Sequence, residues 1–206
     1  HQAVLTDIAS GQLRPGERII QEQLAQQLGI SRQPVQQALT LLRKEGVLID
    51  APGRGLQVAP LDLEHVRHMY EVRAVIEGLA FRSAAERYTS QADKRGSALI
   101  RAGRQAVAKQ SYADMIAADM AFHDFIYELS GNPLVAPAMQ THWTQTQRVM
   151  GEVLMRDDKP RDIWDQHEAL LRAVTAGDGE AAERLARRHI LDAAEFMITR
   201  LRGEGH

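Results

Sequence analysis

Three histidines and one aspartate are the residues whose spacing could support metal chemistry. Asp119 and His123 are four residues apart in an apolar stretch, so a helix would place both side chains on one inward face, about 6 Å apart along its axis. His167 and His189 each lie among apolar residues at helical spacing in two further segments. The pattern therefore predicts a site built from three imidazoles and one carboxylate.

A single inward histidine is more often a hydrogen-bonded core residue than a metal ligand. A carboxylate in a core needs a partner, however, and three inward histidines beside Asp119 favour a shared ion. Such a ligand set suits a divalent transition metal, with zinc and nickel as the first candidates. The chain has no cysteine, which excludes thiolate ligands and disulfides.

Six helices are predicted behind Pro60 to position these ligands. Their approximate ranges are 62–88, 91–109, 112–130, 133–155, 160–176 and 178–202. Breaks at Gly131-Asn132-Pro133, Lys159-Pro160 and Gly177-Asp178-Gly179 separate several of them, and we find no strand pattern in this part of the sequence. These features predict an antiparallel bundle, in which side chains on facing helices build cofactor sites.

The first sixty residues carry a pattern typical of a winged helix-turn-helix. A short helix over 21–28 ends at Gly29, and a second helix begins after its N-cap, Ser31. Short β-type runs then flank Pro52-Gly53-Arg54-Gly55, which predicts a hairpin with a cationic tip. A hairpin directly after such a second helix is a wing.

This N-terminal stretch resembles the winged helix of GntR-type transcription regulators. The matching residues are Pro15-Gly16-Glu17-Arg18, Leu24-Ala25, Leu28-Gly29-Ile30-Ser31-Arg32, Pro34-Val35, Ala38-Leu39, Leu42 and Glu45-Gly46. In that family the N-terminal half of the second helix enters the major groove of DNA, and the wing tip reaches the minor groove. The resemblance implies that the DNA-facing residues are Ser31, Arg32, Gln33, Gln36 and Arg54.

The second helix departs from the usual family pattern at its DNA-facing positions. Gln36-Gln37 stand where the family usually has Arg-Glu, and Gln33 stands where threonine is common. Glutamine pairs with adenine, whereas arginine prefers guanine, so we expect an operator that differs from the usual half-site. The alternative is that these glutamines form a merely solvated helix face.

The residues behind Pro60 resemble the FCD effector domain of FadR-type GntR regulators, in its six-helix, VanR-like variant. The matching residues are Tyr70-Glu71-Val72-Arg73, Glu77-Gly78-Leu79-Ala80, Asp119, Phe122-His123, Ser130-Gly131-Asn132, His167, Gly177-Asp178 and His189. In metal-containing members the aspartate and the three histidines at these positions bind the ion. The resemblance carries that role to Asp119, His123, His167 and His189.

FCD domains typically bind small carboxylates, so the resemblance also implies a small organic acid as effector. A carboxylate in a bundle cavity needs a counter-charge, for which Arg73 and Arg148 are the candidates. Either arginine could instead belong to an internal ion pair or lie at the surface.

The sequence as a whole predicts a mainly α-helical protein with two domains. Residues 1–60 form a winged helix-turn-helix with a small β-hairpin wing, and residues 61–206 form an all-helical FCD-type bundle for effector binding and dimerisation. The first helix is expected to be truncated, because the chain opens with His1. We expect a cytoplasmic homodimer, without membrane association, that regulates transcription from a pseudo-palindromic double-stranded operator, either as a repressor or as an activator.

Two other functional classes are weighed against a regulator. A metal-dependent hydrolase could use the three histidines and Asp119 to activate water, but His167-Glu168 lacks the histidine at position 171 that the zinc-protease motif needs. An architectural DNA-binding protein with a structural metal differs from a regulator only in its lack of response to an inducer. Net charge does not distinguish these classes, because the first sixty residues hold six basic and five acidic residues and so are nearly neutral.

Overall fold

The computed structural model of the chain describes residues 1–9, 11–156 and 163–203. Nine helices and three strands occur in these ranges: α1 (Gln2–Ala9), β1 (Arg18–Ile19), α2 (Gln21–Leu28), α3 (Arg32–Lys44), β2 (Leu48–Asp50), β3 (Leu56–Val58), α4 (Leu63–Glu86), α5 (Ser90–Ala108), α6 (Tyr112–Ser130), α7 (Val135–Arg156), α8 (Trp164–Thr175) and α9 (Gly179–Arg202). The mainly helical fold with a small sheet is the predicted class. None of the described helices is both long and apolar enough to cross a membrane.

The N-terminal part is a winged helix whose sheet has the strand order β1-β3-β2, with both pairs antiparallel. The predicted hairpin is present, because β2 and β3 pair in antiparallel fashion on either side of Pro52-Gly53-Arg54-Gly55. Strand β1 was not predicted, because two residues are too few to show an alternating pattern. It forms because Arg18 and Ile19 pair with the free edge of β3.

Apolar faces of the three short helices close over this sheet. Val4, Leu5 and Ile8 of α1 pack in one cluster with residues of α2, α3 and the wing strands. The turn between α2 and α3 depends on Gly29, whose φ of 65° is left-handed and therefore unfavourable for other residues. The turn presents the N-terminal end of α3 to solvent, as a helix-turn-helix requires.

The C-terminal part is a bundle of the helices α4 to α9. Their bounds agree with the predicted ranges to within a few residues, while the predicted break at Lys159-Pro160 and the start of the helix at 160 lie outside the described residues. Helices α4 and α9 run antiparallel, because Tyr70 contacts Met197 and Arg82 contacts Glu183. Leu185, one turn before His189 on α9, is 40 % exposed and therefore does not share the inward face of that helix.

Helix α7 belongs to the bundle and also contacts the winged helix. The side-chain amide of Gln145 donates to the carbonyl of Glu45, the C-cap residue of α3, at 2.8 Å. Gly151 lies against the backbone of Ala9 so closely that a Cβ atom there would be 2.4 Å from the Ala9 carbonyl oxygen. The same helix therefore contacts the end of α3, the helix predicted to face DNA, and the end of α1.

Candidate metal centre and DNA-binding surface

The three predicted histidines converge in the middle of the bundle. His123 on α6, His167 on α8 and His189 on α9 are buried, and each offers a ring nitrogen within 4.8 Å of the others. The carboxylate of Asp119 joins them, with its Oδ1 atom 3.1 Å from Nε2 of His167. Three helices thus bring to one place the four residues that the sequence singles out.

Each imidazole has an oxygen atom beside its Nδ1 atom, through a hydrogen bond in two cases and a close contact in the third. Nδ1 of His167 donates to the carbonyl of Ile163 at 3.0 Å, and Nδ1 of His189 donates to Oε1 of Gln166 at 2.8 Å. Nδ1 of His123 contacts the carboxylate of Glu77. A hydrogen on each Nδ1 atom leaves the Nε2 lone pairs as the free ligands, which is the usual arrangement around a protein-bound metal.

The fit of a cation is tested by the contact between His167 and Asp119. With its hydrogen on Nδ1, the imidazole of His167 presents a lone pair at Nε2, and that atom is buried without a hydrogen bond. An ionised Asp119 presents a second lone pair 3.1 Å away. Two buried acceptors facing each other need a positive charge between them, so the donor set fits a divalent metal ion.

The electrostatics of the cluster favour ionised carboxylates and a neutral His189. Burial raises the pKa of Asp119, but without an ion a hydrogen between it and His167 and the charges of the neighbouring histidines outweigh burial, so the pKa lies well below its usual value. Burial lowers the pKa of His189, and repulsion from His167 and His123 lowers it further. A neutral imidazole beside an anionic carboxylate is the state that binds a metal ion.

Glu77 completes the site, and the sequence analysis did not assign it a role. Burial raises its pKa, yet the charges of His123 and Arg73 outweigh that effect and bring the pKa to about 2. Arg73 donates to Glu77 Oε1 from Nε at 3.0 Å and from Nη2 at 2.7 Å. The available signal was the spacing of four residues between Arg73 and Glu77, which places both on one face of a helix.

Arg73 stands where the effector hypothesis needs a cation. Its side chain is 2 % exposed and forms part of the wall of a cavity that also borders Asp119, His123 and His189. Nη1 donates to the hydroxyl of Thr146 at 2.9 Å, which connects α4 to α7. The guanidinium also lies 4.7 Å from the centre of the Tyr70 ring. Arg73 is therefore positioned beside the candidate metal centre.

Arg148, the second predicted effector residue, lies elsewhere. Its Nη2 atom donates to the carbonyl of Ala59 at 2.6 Å, and Nη1 donates to Oε1 of Gln145 at 3.2 Å. It does not border the cavity beside the histidines. Sequence periodicity did not distinguish the two faces of α7, because both are buried, one by the bundle and one by the winged helix.

The five predicted DNA-facing residues are all exposed. Ser31 is the N-cap of α3, and Arg32, Gln33 and Gln36 follow within its first two turns. Arg54 lies at the tip of the wing, between two glycines with left-handed φ values. The turn and the hairpin thus present a short row of donors at one helix end and a cation at the tip.

Arg32 has a partner that the sequence analysis did not identify. Its guanidinium contacts the carboxylate of Glu22 on α2, and both side chains are exposed. The side-chain amide of Gln21 donates to the Arg32 carbonyl at 2.9 Å. Helix α2 therefore contacts both the backbone and the side chain at the start of α3.

Comparisons with known proteins agree with both halves of this structure. The family model for bacterial regulatory proteins of the gntR family matches residues 1–58, and the model for the FCD domain matches residues 68–192. The HTH-type transcriptional regulator McbR of Escherichia coli is 28 % identical over 196 residues, covering 92 % of this chain and 84 % of McbR. The HTH-type transcriptional repressor RspR of the same bacterium is 24 % identical over 191 residues, covering 93 % and 84 %.

Solved structures show the same architecture. E. coli McbR/YncC superposes with a TM-score of 0.81 at 24 % identity, covering 95 % of this chain and 93 % of the other. A putative GntR regulator from Rhodococcus sp. RHA1 superposes with a TM-score of 0.77 at 22 % identity, covering 95 % and 94 %. With a matching winged helix, a matching effector-domain model and regulators as its relatives, the chain belongs to the gntR family of DNA-binding transcription regulators and carries an FCD domain.

Proposed function

We propose that this regulator changes its affinity for operator DNA when a small organic acid binds beside a metal ion in the FCD bundle. The metal, zinc or nickel, would be held by Asp119, His123, His167 and His189. The observation that carries the proposal is the convergence of three buried histidines, of which His167 and His189 already donate from Nδ1 to oxygen acceptors. A bound divalent ion supplies a Lewis-acidic position that accepts a carboxylate oxygen.

The protein's own residues would bind and orient the effector. Arg73 borders the cavity, and part of its donor capacity is used by Glu77 and Thr146. A guanidinium has five N–H groups, so some remain for a second carboxylate oxygen. We therefore assign effector binding to Arg73 and not to Arg148, whose donors face Ala59 and Gln145.

The DNA-binding half would act as a dimer on a pseudo-palindromic operator. Ser31, Arg32, Gln33 and Gln36 would contact the major groove, while Arg54 would reach the minor groove or the phosphates from the wing. Support comes from the exposure of all five residues and from the match of residues 1–58 to the gntR family. Repression is the proposed outcome, by analogy with the repressor RspR.

Substitution of the histidines tests the metal site. His167→Ala or His189→Ala should lower the bound metal, measured by mass spectrometry of the purified protein, and lower the melting temperature with it, because metal binding stabilises the folded state. The exposed His68 provides the control, since His68→Ala should change neither quantity. Undiminished metal content in the double variant would contradict the site.

A second measurement tests regulation. Organic acids that raise the melting temperature of the metal-loaded protein should also change its operator affinity, and chelation should abolish that response while the winged helix still binds DNA. If acids bind but none changes the operator affinity, the protein is a DNA-binding protein whose metal is purely structural.

A further inference from the structure

The cavity beside the histidines has its polar groups gathered at one end. Apart from Tyr70, the polar or charged members of its described lining are Arg73, Asp119, His123, Thr146, Gln166 and His189. Each of these residues belongs to the candidate metal centre or contacts it directly or through Arg73 and Glu77. The rest of the described lining consists of aliphatic, aromatic and thioether side chains.

Helices α9 and α6 lead from the polar end to the apolar end in the same number of residues. Along α9 the lining passes from His189 through Ala193 to Met197, and along α6 it passes from His123 to Met115. Each path covers eight residues, or about 12 Å of helix axis. The cavity lining therefore changes from polar to apolar along both helices.

Helix α7 has the same gradient, and the far ends meet. Its lining residues run from Thr146 through Met150 to Leu154, again over eight residues. Met150, Leu154 and Met197 belong to one apolar cluster, so the ends of α7 and α9 converge. The Tyr70 hydroxyl lies where the polar and apolar parts meet, because it donates to the Met197 sulfur at 3.2 Å and also contacts Thr146.

We propose that the effector is an amphiphilic monoanion, with one carboxylate at the histidine end and an unbranched apolar tail that extends toward Met115 and Met197. The proposal rests on the proposed function, since it names the class of acid that this site takes. A methylene buried at the apolar end is removed from water, whereas a hydroxyl there would lose its hydrogen bonds. Hydroxylated acids and polycarboxylates are thus poor ligands.

The charges at the polar end favour a single carboxylate. Glu77 and Asp119 contribute two negative charges and Arg73 one positive charge. A divalent ion would leave the group with one positive charge, which one carboxylate neutralises. A second or third carboxylate would carry an unpaired negative charge into the apolar end, where burial of an uncompensated charge is costly.

Calorimetry of the metal-loaded full chain with a homologous series tests this class. The probes are acetate, butanoate, hexanoate and octanoate, with citrate as the polycarboxylate and 1-hexanol as the uncharged comparator. The dissociation constant should fall by about fourfold for each added methylene until the tail reaches the lining residues Met115 and Met197. Citrate should bind more weakly than hexanoate, and 1-hexanol should bind at least tenfold more weakly.

A filled cavity provides the matched variant. Ala193→Leu adds a branched side chain one turn beyond His189 and should abolish the gain from butanoate to octanoate while acetate still binds. Ala173→Leu is the control, because Ala173 is also partly buried but packs against a different cluster on α8. The control should keep the full dependence on tail length.

The outcomes separate this inference from the proposed function. Citrate binding more tightly than every alkanoate, or a constant affinity across the series, would overturn the amphiphilic monoanion while an acid-responsive regulator stands. Equal binding of 1-hexanol and hexanoate would overturn the carboxylate end. Absence of any acid that both binds and changes operator affinity would instead overturn the proposed function.

Discussion

At the residue scale, the centre of this protein depends on a chain of buried contacts from Thr146 to His123. Arg73 donates to Thr146 and Glu77, and Glu77 holds the Nδ1 atom of His123. Each group is buried, so each charged side chain needs its neighbour to compensate its charge. The geometry of the metal ligands thus depends on residues that would not themselves bind the ion.

Glu77→Gln should weaken both the fold and the metal site. The amide keeps the volume but removes the partner of a buried guanidinium, which typically costs about 3–5 kcal/mol. Loss of a residue that orients a ligand typically costs about 10- to 100-fold in metal affinity. Denaturant unfolding and a competitive metal titration measure the two effects. Glu183→Gln, which alters partly exposed ion pairs, should cost about 1 kcal/mol or less.

Glu77→Gln should also change how the stability of the protein depends on pH in acid. The folded-state pKa of Glu77 is about 2, below the ordinary value of 4.5. A depressed pKa contributes stability that is fully present above pH 4.5 and is lost as the pH falls toward 2. Unfolding curves of the chelated wild-type protein should show this loss, and the Gln variant should lack that part of it. Identical pH profiles of the wild-type protein and the Gln variant would show that the neighbours of Glu77 do not lower its pKa.

At the element scale, helix α7 contacts both the cavity in the bundle and the winged helix. One face of α7 borders the cavity beside the histidines through Met150, and another contacts the winged helix through Gln145, Arg148 and Gly151. A helix shared by two sites couples them when it has two discrete arrangements that both sites bias. A ligand that moves Met150 would therefore act on the end of α3 through the same helix.

Gly151→Ala should disturb the contact between α7 and α1. The new Cβ atom would meet the Ala9 carbonyl oxygen at 2.4 Å, so backbone must move, which typically costs about 1–3 kcal/mol. We expect a lower melting temperature and a changed operator affinity with the metal content retained. Gly179→Ala is the matched control, because its Cβ would meet the Arg82 side chain at 3.2 Å and a carbonyl at 3.4 Å. Wild-type behaviour of Gly151→Ala would mean that the two helices separate at no cost.

Arginine substitutions test the winged helix as a DNA reader. Arg32→Ala should cost about 1–3 kcal/mol of operator affinity and relax base preference if its guanidinium reads a base. Arg54→Ala should weaken binding with a smaller change in preference, because the wing chiefly contacts the backbone or the minor groove. Fluorescence anisotropy with operator and scrambled DNA separates the effects, and Arg101→Ala on the exposed surface of α5 serves as the control. Unchanged affinity in both variants would contradict the assignment.

At the scale of the whole molecule, an apolar stripe on α4 favours association of two copies. Val72, Val75 and Leu79 follow helical spacing and are 48 %, 54 % and 48 % exposed. An exposed apolar stripe of this kind is typical of an interface. A two-fold pair of winged helices is also what a pseudo-palindromic operator requires.

Light scattering should therefore report a homodimer at micromolar concentration. Val75→Glu should shift the mass toward the monomer, because a two-fold interface places the same charge on both sides of the contact. Leu134→Glu changes an apolar residue that is 73 % exposed and lies elsewhere, so it should leave the mass unchanged. A monomeric wild-type protein, with and without DNA, would contradict the prediction.

The sequence alone determined the fold class and the identity of the four candidate ligands. Helical periodicity and punctuation by Gly29 and Gly177-Asp178 are local properties, so the helix order and most boundaries could be predicted. The inward faces of three helices marked Asp119, His123, His167 and His189 for the same reason. Local patterns carry this information because the spacing of apolar residues within one helix determines which of its faces is buried.

Tertiary structure decided what these residues face. Glu77 contacts His123 only because α4 packs against α6. Arg148 contacts Ala59, and not the cavity, because that face of α7 packs against the winged helix. Strand β1 likewise exists because the edge of β3 is available to it. Each outcome depends on partners distant in the chain, and the periodicity of one segment contains no information about the direction from which a partner arrives.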